Sequence, residues 1–168
     1  MPLALCYNPL EAMPKRFSST EFFRALPAAV RPLLPKGLRP FEHRARSWML
    51  QVYYDSAEVH YEASKLYRPS VFEVGLHFER RGQERNDALL RHFAPYVFEI
   101  KAELGEQVKF EPWDKGWSKI YETLAVAPYN EDYLAQVAGR LAQMIAVLQP
   151  MLEEYDDRRE QRPKEAAR

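Results

Sequence analysis

Glu58, His60, Glu62, Glu73 and His77 are the residues whose types and spacing could do chemistry. In EVHYEASKLYRPSVFEVGLH, residues 58–77, they recur at alternate positions on two runs interleaved with apolar side chains. That alternation predicts one polar face shared by two neighbouring strands. Carboxylates and imidazoles gathered on one face can hold a divalent cation and activate a water, the chemistry of a metal-dependent hydrolase. Spacing alone fixes neither ligand count nor geometry, so no metal, cofactor or catalytic residue is assigned from it. Exposed strand positions are also commonly Glu and His because water accepts them. The plainer expectation is therefore a solvated face, or one neutralised by Arg44, Arg46, Lys65 or Lys119, and after that a surface for a partner. A hairpin closing through SKLYRP predicts Glu62 opposite Glu73, His60 opposite Gly75 and Glu58 opposite His77. Two carboxylates facing each other would need a cation beside them.

A second constellation is WDKGW, where Trp113 and Trp117 flank a tight turn with Lys115 and Lys119 nearby. Indoles beside lysines could stack a nucleobase and hold its phosphate, with Arg39, Arg44 and Arg46 extending an anion-binding patch. The simpler expectation is that both indoles staple a hairpin and pack under helices. Residues 1–50 hold eight Lys/Arg against three Glu in a chain of zero net charge, so this third could attract an anion or clamp onto its own acidic remainder. The zero overall balance favours the clamp. Glu99-Ile100-Lys101 has a nuclease-like form but falls inside a predicted helix. No nucleophile elbow and no glycine-rich phosphate loop occurs.

Around these sites the periodicity predicts the elements. Seven of the thirteen prolines lie within residues 1–40, predicting an irregular basic arm, 1–46, with a short capped helix over SSTEFFRAL that stops at Pro27. From Ser47 the period is two: Trp48, Leu50, Val52 and Tyr54, then Val59, Tyr61 and Ala63, then Phe72, Val74, Leu76 and Phe78 face inward. The stripe Leu89, Leu90, Phe93, Val97, Ile100, Leu104 predicts a helix bent or divided at Pro95 and ended by Gly105. Two strands follow around the turn DKG. Asn130 then caps a long helix with the stripe Leu134, Val137, Leu141, Ile145, Leu148, Leu152, and residues 156–168 form a charged flexible tail.

The predicted class is α+β: a largely antiparallel five-stranded sheet in the order β-β-β-α-β-β-α, with two long helices on one face, occupying 47–155. A length of 168 residues with 46% hydrophobic and 29% charged residues suits one folded domain. No apolar run is long enough for a membrane span or a secretory signal, so a cytoplasmic location is expected. The single Cys6 excludes an intrachain disulfide.

The stretch ERNDALLRHFAPYVFEIKAELGEQVKFEPW resembles a bacterial and archaeal domain of unknown function often found C-terminal to restriction-endonuclease-like modules. Arg85 and Asn86, Ile100 to Gly105, Phe110 with Glu111, and Pro150 carry the resemblance, which covers roughly residues 46–153. It implies an α+β fold and a DNA-related or defence context, and it carries over no catalytic residue. The leading expectation for function is a non-enzymatic module that binds a protein partner or its own copy as a homodimer. The alternatives are a nucleic-acid-binding accessory protein and a metal-dependent hydrolase working on the Glu and His face.

Overall fold

The computed structural model describes residues 15–160, with side chains to Tyr155, so Cys6 lies outside the described residues. Six strands form one antiparallel sheet: β1 (Glu42–Ala45), β2 (Met49–Tyr53), β3 (Val59–Tyr67), β4 (Ser70–Phe78), β5 (Lys109–Trp113) and β6 (Trp117–Leu124). Their order across the sheet is β1-β2-β3-β4-β6-β5. Four α-helices accompany it among the described residues: α1 (Ser19–Val30), α2 (Gln83–Phe93), α3 (Val97–Leu104) and α4 (Glu131–Glu160). The α+β class is as expected, but the sheet has six strands where five were expected. The additional strand is β1, whose EHRA sequence has no apolar alternation. It is an edge strand with Glu42, His43 and Arg44 exposed, and charge on an edge deters pairing with other chains.

The described part of the proline-rich segment shares the core. Ser18 and Glu21 cap α1 reciprocally: the Ser18 hydroxyl accepts from the Glu21 amide at 3.2 Å, and the Glu21 carboxylate accepts from the Ser18 amide at 2.7 Å. The helix does not stop at Pro27. It runs on to Val30, because burying Leu26, Pro27 and Val30 offsets the one backbone bond the ring removes. Phe23 stacks on Phe72 of β4 at 5.8 Å, and Phe22 stacks on Tyr129 at 4.3 Å.

The other helices follow the expected pattern with two adjustments. The second helix divides at Pro95, where a 3-10 turn over Ala94–Tyr96 separates α2 from α3, and Gly105 with φ 100° ends α3. Asn130 caps α4 by accepting from the Tyr133 amide at 2.9 Å. That helix passes through exposed Pro150 and reaches Glu160, beyond the expected start of a tail at 156. Helices meet the sheet through one set of alternating positions: Phe78 stacks on Phe93 of α2, the Tyr61 hydroxyl donates to Gln149 of α4 at 3.1 Å, and buried Glu122 accepts from Arg140 of α4.

The β3–β4 hairpin turns one residue later than the expected register implies. Tyr67 pairs with Ser70 around Arg68 and Pro69, so His60 lies opposite His77, Glu62 opposite Gly75, and Ser64 opposite Glu73. The expected register is displaced by two residues, which preserves the faces because side chains alternate with period two. Glu62 and Glu73 are therefore not paired, and the two imidazoles are.

Candidate metal centre

The sheet face away from the helices is polar, yet it is not solvated. His60, Glu62, Ser64, Glu73, His77 and Lys119 all project from it, and all are buried, His60 to 1% exposure and His77 to 2%. Their cover comes from the same face. Trp48 and Met49 at β2 line one groove together with Trp113 and Trp117 on β5 and β6, although β3 and β4 lie between those strands. The sheet thus curls into a cup whose groove holds about 520 Å³. Gly75 lies between Glu73 and His77 on β4: a Cβ there would stand 2.6 Å from the Cβ of Tyr121, so only glycine lets β6 approach this closely.

At the centre, His60 Nε2, a ring nitrogen of His77 and a carboxylate oxygen of Glu79 lie within 4.8 Å of one another, the one group of three or more such residues found among the described residues. His60 Nε2 is 4.0 Å from Glu79 Oε1 and 3.4 Å from Glu62 Oε2, and His77 Nδ1 is 3.5 Å from Glu79 Oε1. Ligands about 2.1 Å from a tetrahedral ion stand about 3.4 Å apart, so His77 and Glu79 are already at ligand spacing and His60 would close on Glu79 by about 0.6 Å.

One nitrogen of each ring is oriented by a partner. His60 Nδ1 lies 2.8 Å from the Ala57 carbonyl, which can only accept, so Nδ1 carries a proton and Nε2 is an acceptor, 3.0 Å from the Gln51 amide nitrogen. His77 Nε2 lies 3.1 Å from Glu73 Oε1, and Glu73 Oε2 accepts from Lys119 Nζ at 2.7 Å. This is the carboxylate–imidazole arrangement that fixes the ring of a metal-ligating histidine. His77 Nδ1 is buried without a well-formed hydrogen bond, 3.5 Å from Glu79 Oε1.

Electrostatics point the same way. Burial pushes the His77 pKa down, but Glu73, Glu79 and the charge of Glu62 outweigh it and hold the imidazole up at about 9. Burial pushes Glu62 up, and the polar contact of His60 with the charge of His77 outweighs it, holding that carboxyl at about 2. Burial likewise raises Glu73, and His77 and Lys119 bring it below the ordinary carboxylate range. Around the imidazoles, the carboxylates Glu62, Glu73 and Glu79 face the single ammonium of Lys119 and the proton on His77. A dication in place of that proton would bring the group to neutrality.

Of the five expected face residues, the structure brings together His60, Glu62, Glu73 and His77. Glu58 is exposed just before β3 and takes no part; its backbone carbonyl accepts from the Glu79 amide at 2.7 Å. Sequence reasoning missed Glu79 and Gln51, whose amide nitrogen lies 3.0 Å from His60 Nε2 and 3.2 Å from Glu62 Oε2. One further step of the β4 alternation, from Glu73 through His77, would have reached Glu79.

The second constellation does not form one patch. Arg39 is engaged with the Leu34 and Pro32 carbonyls, and Arg44 and Arg46 are exposed at the β1 end of the sheet. At the other end, Trp113 and Trp117 pack at 5.3 Å on the cup face and not under the helices, with Lys115 over Trp117. Lys119 is the cation that neutralises the face, as one of the four candidates; Lys65 instead donates to Ser70 at 2.7 Å.

Within the resembling motif, Asn86 has a structural role. Buried Asn86 accepts from the Arg80 amide and donates to the Arg80 and Gly116 carbonyls, each at 2.9 Å, bracing the start of α2 against the β5–β6 turn. No family model, curated protein or solved structure matches the chain. Among the described residues, no helix is long and apolar enough to cross a membrane.

Proposed function

We propose that the cup is a divalent-metal centre serving hydrolysis, with His60 Nε2, His77 Nδ1 and Glu79 as ligands. The observation that carries this reading is the His77 ring: Nε2 is tied to Glu73, while Nδ1 is buried without a hydrogen-bond partner 3.5 Å from a second carboxylate. Two imidazoles and one carboxylate favour zinc, iron(II) or manganese over magnesium. Such an ion would polarise a carbonyl and lower the pKa of a water. Glu73 and Lys119 act as positioning residues through His77, and Glu62, 3.4 Å from His60 Nε2, adds negative charge beside the ligand set.

The interaction-module reading is less well supported at this face, because its Glu and His side chains are already buried within the chain. Of the exposed large apolar residues Leu33, Trp48, Tyr67, Phe98 and Val126, only Trp48 lines the groove, and the others sit on separate segments of the chain. The nucleic-acid reading lacks a continuous basic surface at the tryptophans.

Adding zinc or manganese to the chelator-treated chain should raise its melting temperature. At a hundredfold excess over Kd the stabilisation is about 2.7 kcal/mol, which for a chain of this size is about 5–10 °C. His77→Ala and Glu79→Gln should each abolish most of that rise. A folded wild-type chain that takes up neither metal, by elemental analysis after gel filtration, overturns the proposal.

A further inference from the structure

A second groove lies on the helix side of the sheet, where α1 passes the β1 edge, and it shares no residue with the cup. Arg24, Arg31, Arg39 and His43 line it around a volume of about 680 Å³, within the range of small-molecule sites. Arg24, Ala28 and Arg31 fall at helical spacing on one face of α1 and the residue that caps it. The chain then turns back to β1, where His43 pairs with buried Val52 and so faces the helices, while Arg44 pairs with Gln51 and faces the cup.

Two of the three guanidinium groups are held by partners that carry no charge. Arg31 lies over the Phe41 ring, 4.3 Å from its centre, a contact made by the face of the guanidinium that leaves the N–H groups on its edge to other acceptors. Arg39 donates from Nε to the Leu34 carbonyl at 3.0 Å and from Nη2 to the Pro32 carbonyl at 3.4 Å, and its Nη1 has no acceptor among the described residues. The Tyr54 hydroxyl pins the same turn by donating to the Leu38 carbonyl at 2.7 Å. Among the described residues, no carboxylate forms an ion pair with Arg24, Arg31 or Arg39. Positive charge is thus set in place without a countercharge, and a ligand that meets it loses little entropy in ordering it.

The rest of the lining narrows the ligand. Pro27, Ala28 and Pro32 add only apolar surface, and no carboxylate, hydroxyl or amide side chain is present, so the bound group must accept hydrogen bonds and not donate them. The N–H groups of a peptide or a base edge would go unmatched. No aromatic face is open to stack a base, since Phe41 is 5% exposed beneath Arg31. Three guanidinium groups call for about three negative charges close together, which a diphosphate supplies with oxygens that accept in the paired geometry arginine favours. We infer that this groove binds the diphosphate group of a small molecule through Arg24, Arg31 and Arg39.

Inorganic pyrophosphate is the probe, titrated by calorimetry into the full chain after chelator treatment and dialysis, so that no metal in the cup can hold it. It should bind about tenfold or more tightly than orthophosphate and than citrate, which has similar charge on carboxylates. Arg24 is exposed and its side chain has no partner among the described residues, so Arg24→Gln should weaken pyrophosphate about tenfold at an unchanged melting temperature. His77→Ala should leave the affinity as it is. Absence of pyrophosphate binding, equal affinity for citrate, indifference to Arg24→Gln, or loss of binding in His77→Ala each overturns the inference. So does a DNA duplex of about 20 base pairs that binds more tightly than pyrophosphate and loses that affinity in Arg24→Gln, because the arginines then serve a nucleic-acid backbone. Metal uptake enters none of these outcomes, so the groove and the metal centre stand or fall separately.

Discussion

His77 has different neighbours on its two nitrogens, and that asymmetry makes it the most informative side chain in the molecule. Its pKa, held up at about 9, lies above the ordinary value of 6.5. A raised histidine contributes its full stability below the unfolded pKa and loses it as pH rises through the folded one. The metal-free chain should therefore lose stability between about pH 6.5 and 9, by at most roughly 3 kcal/mol, in urea melts with chelator present. His77→Gln should flatten that limb. Glu62 has the opposite sign: its pKa of about 2 is depressed, so its contribution is present above about 4.5 and fades as pH falls toward 2. Lys119 sets a third expectation. Lys119→Met leaves Glu73, 3% exposed, with His77 as its remaining cationic partner. The loss should be about 3 kcal/mol, the low end for breaking a buried pair, read as a lower urea midpoint, and Glu73→Gln in the same chain should recover part of it.

At the scale of elements, the cup depends on β4 and β6 approaching each other at Gly75. Gly75→Ala places a methyl 2.7 Å from the Ile120 carbonyl and 2.9 Å from the Tyr121 Cα, where backbone must move. It should destabilise the chain by about 1–3 kcal/mol and weaken metal uptake, because His77 is two residues along the same strand. The alternation that defines this strand was readable in sequence, since Phe72, Val74, Leu76 and Phe78 are all fully buried on the helix side. The register was not readable, because turns centred on Tyr67–Arg68 and on Arg68–Pro69 fit SKLYRP equally well and differ by a two-residue shift in pairing that leaves both faces intact. Trp48 shows a different failure. It continues the inward alternation of Leu50 and Val52 on paper, but it precedes β2, is 42% exposed and turns to line the groove. β1 stayed hidden because an exposed edge strand needs no apolar period. Burial of the polar face was likewise beyond reach, since it arises from curl, which a pattern of period two does not encode.

For the whole molecule, the two faces of one sheet carry separate tasks. The helix side holds the apolar core, where Phe22 and Phe23 of α1 meet Phe72 of β4, and the cup side holds the imidazoles and carboxylates. Perturbations on opposite faces share no side-chain partner, and distant sites without shared partners add to within a few tenths of a kcal/mol. Phe22→Ala should thus cost about 3–5 kcal/mol, as expected for a fully buried ring, because α1 is part of the core and not an appendage. The same variant, while still folded, should keep the wild-type stability increment on adding zinc. Urea titrations of both proteins with and without zinc measure that increment. If it shrinks in Phe22→Ala, the sheet transmits strain from core to cup, and the cup's geometry depends on α1 docking as well as on its own strands.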